Sequence, residues 1–135
     1  MNWGNLKDEI RDLGFETDEI FEEYENIIIN ACNRAIDIIR YTFIAKYENF
    51  YEDYFDITTG NMESITKITV DTEDSFEINL PDNTLMLLPL LCSHYVWLDD
   101  DTVKATLYWN EYDDLKNQLV QNIITPRHAV VEGGF

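Results

Sequence analysis

Residues 84–98 read TLMLLPLLCSHYVWL, and Ser93 and His94 are the polar residues inside this apolar run. A helix over the run would be apolar on nearly every side, which is typical of a helix at the centre of a core or one shared with a partner. Pro89 lies one turn inside and leaves two possibilities open: it kinks the helix, or the regular α-helix begins there. The run therefore predicts a mainly helical protein built around this segment.

Three further helices are predicted from apolar residues spaced three or four positions apart. One covers residues 2–14 and ends at Gly14. Another begins at Thr17 or Asp18, where the following carboxylates suit the helix dipole, and ends between residues 41 and 46. The last follows the acidic corner at 99–101, which supplies its cap. The apolar stripes of these helices are Leu6, Ile10 and Leu13; Ile20, Tyr24, Ile27, Ile28, Ala31, Ala35, Ile38 and Ile39; and Val103, Leu107, Tyr108, Tyr112, Leu115 and Leu119.

Between these helices the spacing of apolar residues changes from three or four positions to two, so that apolar and polar residues alternate. The runs SITKITV (64–70) and SFEINL (75–80) flank a polar break, which predicts an antiparallel β-hairpin near 64–80. Residues 47–58, which contain the run YENFYEDYFDI, are aromatic and acidic together and fit a helical turn or a strand. The expected fold class is mainly α, with about four helices, one inserted hairpin and an extended C-terminal arm. The expected organisation is one domain over 1–124 and the arm over 125–135.

The charge of the chain limits its partners. It has 27 Asp and Glu against 9 Lys and Arg, a net charge of −18 and an isoelectric point near 4.1. Affinity for a phosphate backbone comes from cations, so ordinary nucleic-acid binding and docking on anionic lipid are excluded. A hydrophobic content of 45% argues against a disordered chain. No apolar run reaches the roughly 18 residues of a membrane span.

A search for catalytic or metal-binding patterns finds none to support an enzyme. His94 and His128 are far apart in sequence, and His94 is interpreted as a partly buried, hydrogen-bonded residue of the central helix. Cys32 and Cys92 both lie on apolar helices, which predicts small core residues rather than reactive thiols. We therefore expect no catalytic residue, no metal site and no cofactor.

Two acidic clusters are candidates for metal sites. The run that begins at Asp71 resembles the start of a calcium loop, but its sixth position is Phe76 instead of Gly, which favours a turn. Asp99, Asp100 and Asp101 are adjacent, so their side chains point in different directions and cannot all ligate one ion. A helix cap and a solvated corner is the favoured interpretation there.

The aromatic content indicates a protein interface. The chain has 3 Trp, 8 Tyr and 7 Phe in 135 residues. Aromatic residues are enriched at interface cores, where charges are depleted. The alternative is that a small acidic domain uses aromatics to fill its own core. The aromatics that fall outside the helical stripes are Trp3, Phe50, Tyr51, Tyr54, Phe55, Trp97, Trp109 and Phe135.

The order of several short motifs resembles small head–tail connector proteins, or neck adaptors, of tailed bacteriophages. Leu80-Pro81-Asp82 precedes the apolar helix, and the acidic corner at 99–101 follows it. Next come Lys104-Ala105 and Glu111-Tyr112 in the last helix. The N-terminal half is also similar, with a short helix and then a long one that contains NACNRAI at 30–36. The resemblance covers most of residues 2–122, and it departs from the family over about 45–75.

This resemblance implies a structural virion protein and not an enzyme. Such adaptors assemble as homo-oligomeric rings, commonly dodecameric, between the portal protein and a tail-side neck or tail-terminator protein. They extend the channel through which DNA passes without specific binding, and they have no membrane contact. The implied location is the virion neck, after assembly in the bacterial cytoplasm. A C-terminal segment docks on the portal in several members, which points here to Pro126, Arg127, Val130, Val131 and Phe135 of the arm.

Two hypotheses follow from the acidity. In a ring, Asp99, Asp100 and Asp101 are candidates for an acidic lumen that repels DNA phosphates. The hairpin at 64–80 joins the arm as a candidate partner contact. The alternative function is an acidic DNA mimic that inhibits a host DNA-binding enzyme; its binding would weaken steeply with salt, whereas apolar adaptor contacts would not.

Overall fold

The computed structural model describes residues 1–124, and this part of the chain is mainly helical. The five α-helices are α1 (Trp3–Gly14), α2 (Asp18–Glu23), α3 (Glu25–Ile39), α4 (Leu88–Trp97) and α5 (Thr102–Ile124). A π-helical turn, Arg40–Ile44, extends α3, and 3₁₀ turns lie at Glu48–Phe50, Glu52–Tyr54 and Asp82–Leu87. The predicted arm at 125–135 lies outside the described residues.

The central helix α4 buries eight of its ten residues. It packs most extensively against α5 and α3, and also against α1. Pro89 stands in the first turn of α4, after the 3₁₀ turn Asp82–Leu87. The second possibility for Pro89 is therefore confirmed: the missing N–H is tolerated there because the first turn has no intrahelical acceptor for it.

The long second helix of the sequence prediction is two helices. The break lies at Tyr24, whose backbone angles (φ −93°, ψ 9°) leave the α-helical region. Its N–H donates to the Phe21 carbonyl three residues back, at 3.1 Å, and α3 begins when Ile28 N–H bonds the Tyr24 carbonyl at 2.8 Å. The expected start is confirmed, since the Thr17 hydroxyl accepts from Ile20 N–H at 3.2 Å.

The predicted β-hairpin at 64–80 is wrong. Residues 1–124 contain no β-strand, only the isolated bridge pairs Asn2–Glu77 and Phe55–Met62. The two runs pair with other parts of the chain instead of with each other. The second run crosses the N-terminus: Trp3 N–H donates to the Phe76 carbonyl at 2.8 Å, and Ile78 N–H donates to the Met1 carbonyl at 3.1 Å.

The first run is held by one side chain of α3. The Asn33 amide accepts from Ile68 N–H and donates to the Ile68 carbonyl, both at 2.9 Å. This paired contact imitates a strand neighbour, so the Ile68 peptide groups are satisfied without a ladder. The alternation of apolar residues is real, because Ile68, Ile78 and Leu80 are buried. The alternation arises because these segments are extended and pack against helices on one side.

Candidate interaction surfaces

The acidic corner Asp99–Asp101 is exposed at the turn between α4 and α5. Asp101 caps α5, since its Oδ1 accepts from Lys104 N–H at 3.1 Å. Asp100 Oδ2 accepts from the Tyr24 hydroxyl at 2.5 Å, and this hydrogen bond is the main cause of a raised Tyr24 pKa. The corner thus joins the α2–α3 junction to the start of α5. Two of its three carboxylates have partners within the chain.

The candidate site residues Pro126, Arg127, Val130, Val131 and Phe135 lie outside the described residues. The acidic corner and the arm are therefore not brought together by anything the structure describes.

His94 and the two cysteines pack within the protein and take part in its internal contacts. A ring nitrogen of His94, Nδ1, lies 2.8 Å from the Ala105 carbonyl, and the ring packs against Tyr95 and Trp109. Cys32 and Cys92 are fully buried. Burial, followed by a hydrogen bond with Cys32, raises the Cys92 pKa well above its usual value, so the thiol form is stabilised. The sequence interpretation of all three residues is confirmed.

Across residues 1–124, no three His, Cys, Asp or Glu side chains are grouped so that they could hold a metal ion. In the same part of the chain, no helix is both long and apolar enough to cross a membrane.

Several aromatics proposed for an interface lie in the core. Trp3, Tyr51 and Trp97 are buried, whereas Phe50 is about half exposed. Trp97 packs against Phe15 and Tyr24, with ring centroids 4.8 and 5.3 Å away. For these three buried residues, core filling is the correct alternative.

One cation of α5 closes this aromatic cluster and ties α5 to α1. Lys104 Nζ lies 3.9 Å from the centroid of the Trp97 ring and donates to the Gly14 carbonyl at 2.6 Å. The Tyr108 hydroxyl donates to the neighbouring Leu13 carbonyl. Two of the carbonyls left open at the end of α1 are thus satisfied by α5 side chains. A side chain at Gly14 would collide with Trp97 Nε1, at 2.6 Å from its Cβ.

The first half of α5 presents an uncharged face. Val103 and Leu107 lie one turn apart and are 72% and 59% exposed. The single charged residue of 102–110 is Lys104, which is directed to α1. The sequence pattern groups Val103 and Leu107 on one side with Tyr108 and Tyr112, and that grouping is wrong, because α5 turns Ala105, Tyr108 and Tyr112 inward and leaves Val103 and Leu107 exposed. The sequence feature that could have indicated this uncharged face is the stretch 102–110, nine residues without Asp or Glu. The members of this α5 face are Thr102, Val103, Thr106, Leu107, Trp109 and Asn110.

A cleft of about 350 Å³ lies between α1, α2, α3 and the loop at 69–72, and is called here the α1–α3 cleft. Its floor includes the buried side chains of Trp3, Ile28 and Ile29. Val70, 61% exposed, stands on the loop side. Sequence spacing could not reveal this cleft, since the loop at 69–72 follows the end of α3 at Ile39 only after a long intervening segment.

The charged rim of the α1–α3 cleft is only partly neutralised. Lys7 Nζ is 2.7 Å from Asp74 Oδ1, and Arg11 is 2.8 Å from Asp8 Oδ1. The carboxylates of Glu22 and Glu25 line the same cleft and form no ion pair within residues 1–124. The rim therefore has unpaired negative charge above an apolar floor.

Comparisons with known proteins identify no matching family model, no similar curated protein and no similar solved structure.

Proposed function

We propose that the chain is a non-enzymatic virion subunit, a head–tail connector that assembles with itself between a portal protein and a tail-side neck or tail-terminator protein. The sequence resemblance supplies the identity of the assembly, including a ring of commonly twelve subunits in the virion neck. The observation in the structure that favours assembly by protein contacts is the uncharged α5 face. No cofactor enters the proposal.

The α5 face supports assembly for an electrostatic reason. Two copies with a net charge of −18 repel each other, so a surface without acids is favourable for a contact between them. Val103 and Leu107 supply an exposed apolar pair within such a surface. A ring contact is head to tail and joins two different patches, so this face would meet another part of the neighbouring subunit.

The acidic corner keeps its proposed place beside the DNA channel. Its residues are exposed, and a lumen rich in carboxylates would repel phosphates and let duplex DNA slide. Because Asp100 and Asp101 are held by Tyr24 and by the α5 N-terminus, their charges have fixed positions.

The test is a nonsense mutation in the gene within its native genome, followed by negative-stain microscopy of the lysate. We expect filled heads and complete tails that are not joined, and joined virions when the wild-type gene is supplied in trans. A matched plasmid that carries Leu107→Lys should fail to restore joining. Normal virions from the nonsense mutant would overturn the proposal.

The acidic DNA mimic remains the second candidate, and α2 is the observation that favours it. This helix buries none of its six residues, and four of them are Asp or Glu. The apolar helix α4 lies inside the protein, so it leaves the surface free for acids. Salt separates the two functions: binding by a mimic should fall steeply between low and moderate ionic strength, and binding by an adaptor should change little.

A further inference from the structure

The α1–α3 cleft has the dimensions of a binding site for a side chain or short segment, since ligand sites begin at about 300 Å³. Its own cations do not compete for a ligand, because Lys7 and Arg11 are paired with Asp74 and Asp8. They also lie near the faces of Trp3 and Phe21, at 5.2 and 5.7 Å from the ring centroids. A ligand cation is therefore not expected on those rings.

The free chemistry of the cleft then defines its occupant. The floor at Ile28 and Ile29 suits an aliphatic side chain. The unpaired carboxylates of Glu22 and Glu25 suit a cation beside it. An occupant of this chemistry is an extended segment with an Arg or Lys a few residues from Val, Ile or Leu.

One segment of this composition lies outside the described residues 1–124. Residues 115–131 are its longest stretch without Asp or Glu, 17 residues. The C-terminal part of the stretch reads TPRHAVV (125–131), in which Arg127 and His128 precede Val130 and Val131. In a chain with three acids for every base, this local reversal of charge is complementary to the rim of the cleft.

We propose that residues 125–131 of a second copy dock in the α1–α3 cleft, with Val130 or Val131 on the apolar floor and Arg127 against Glu22 and Glu25. A second copy is favoured over the same copy because Ile124 lines a different cavity, beside Ala45–Phe50, and no residue lines both cavities. The resemblance implies that this arm binds the portal protein. The α1–α3 cleft is a different partner for the arm, on another copy of the same protein. The inference rests on the proposed self-assembly but not on a position in the virion neck.

Direct binding tests the inference. The probe is the peptide TPRHAVVEGGF, acetylated and amidated, and the target is the full chain with Arg127→Glu, Val130→Asp and Val131→Asp, whose own arm cannot compete. We expect saturable binding by this target. We expect loss of at least about tenfold in affinity, or about 1.4 kcal/mol, when Glu22→Lys and Glu25→Lys are added.

Matched controls separate a site from general attraction to an acidic protein. Glu48→Lys with Glu52→Lys makes the same charge change on exposed residues outside the cleft and should alter affinity by less than about twofold. Val70→Asp changes the apolar side of the cleft at an exposed residue, so folding should survive and binding should weaken. No peptide binding, or equal losses for the Glu22/Glu25 and Glu48/Glu52 pairs, would overturn the inference.

Sparse immobilisation on a biosensor distinguishes a second copy from the same copy. Isolated wild-type molecules should bind the peptide as well as the arm-substituted chain, because no neighbour fills their clefts. Much weaker binding by the isolated wild type would mean that each arm fills its own cleft, and would overturn docking between copies. Failure of the peptide test with unjoined heads and tails in the lysate test would leave the proposed function standing without this contact.

Discussion

Helices α4 and α5 are consecutive and pack against each other, but they use their residues in opposite ways. α4 buries eight of ten residues, whereas α5 buries only Ala105, Tyr108 and Tyr112 among 23. Both helices carry apolar residues one turn apart, but those of α4 are buried, whereas Val103 and Leu107 of α5 are exposed. The same sequence feature therefore means core in one helix and exposed surface in the next.

The difference in burial between α4 and α5 follows from the helices that pack against each of them. α3, α1 and α5 all pack against α4, which buries eight of its ten residues. α5 meets α4 and the 3₁₀ turn Asp82–Leu87 on one side and is fixed to the end of α1 by Lys104 and Tyr108. Its opposite side has no covering element within residues 1–124, and that is where the uncharged face lies.

Leu91→Ala in α4 should have the largest effect on folding. Leu91 is fully buried in the central helix, and truncation of such a residue costs about 2–5 kcal/mol because lost burial and a cavity add. Urea unfolding followed by circular dichroism measures the change. Leu107→Ala is the matched control on α5 and should cost no more than about 0.5 kcal/mol. Similar losses for the two variants would contradict the contrast between the helices.

Tyr112, on the buried side of α5, should make the free energy of unfolding depend on pH. Burial is the main cause that raises its pKa from 10.0 to about 12, although a hydrogen bond with Thr42 lowers it. Between pH 10 and 12 the unfolded chain has lost this proton and the folded chain keeps it. The contribution of Tyr112 to the free energy of unfolding should therefore be fully present below pH 10 and should decrease as the pH rises towards 12.

Tyr112→Phe should flatten this alkaline decline when urea unfolding is repeated from pH 9 to 12. The decline will not vanish, because burial also raises the pKa values of Tyr51, Tyr54 and Tyr108. Tyr41→Phe is the control for loss of a tyrosine hydroxyl at an exposed position, since Tyr41 is 66% exposed. An unchanged slope in Tyr112→Phe would mean that Tyr112 is not buried in solution.

Local patterns predicted the helices because helix formation depends on neighbours three and four residues away. The Thr17 cap, the end of α1 at Gly14 and the start of α4 near Pro89 are all local signals. The break at Tyr24 had no such signal, since Tyr24 continues an apolar stripe and no Gly or Pro is nearby. Only the different packing of α2 and α3 distinguishes the two halves.

The hairpin failed because alternation specifies an extended segment but not its partner. Asn33 and the N-terminal residues provide hydrogen bonds to 64–80 from more than 30 residues away. The candidate surfaces depended on the same long-range information. The acidic corner was predictable as a cap, whereas the α1–α3 cleft joins segments that no sequence spacing connects, and the outward side of α5 depends on where α4 lies.

The smallest expected effect on folding belongs to the α5 face, and its effect on assembly should be large. Val103→Gln with Leu107→Gln keeps good helix-forming character and adds no charge, so the free energy of unfolding should change by less than about 1 kcal/mol. Sedimentation velocity over a range of concentrations should show self-association of the wild type and at least a tenfold weaker association of the variant, or about 1.4 kcal/mol. Thr106→Gln with Asn110→Gln is the control, on the same face but without apolar loss.

Each pattern of results has a distinct meaning for that face. A strongly destabilised double variant would show that Val103 and Leu107 are covered within one chain, and α5 would then resemble α4. A stable variant that associates like the wild type would remove these residues from any contact between copies. A stable variant that no longer associates would show that the two helices have different roles: α4 stabilises the subunit, and the exposed pair on α5 contributes to contact with the next one.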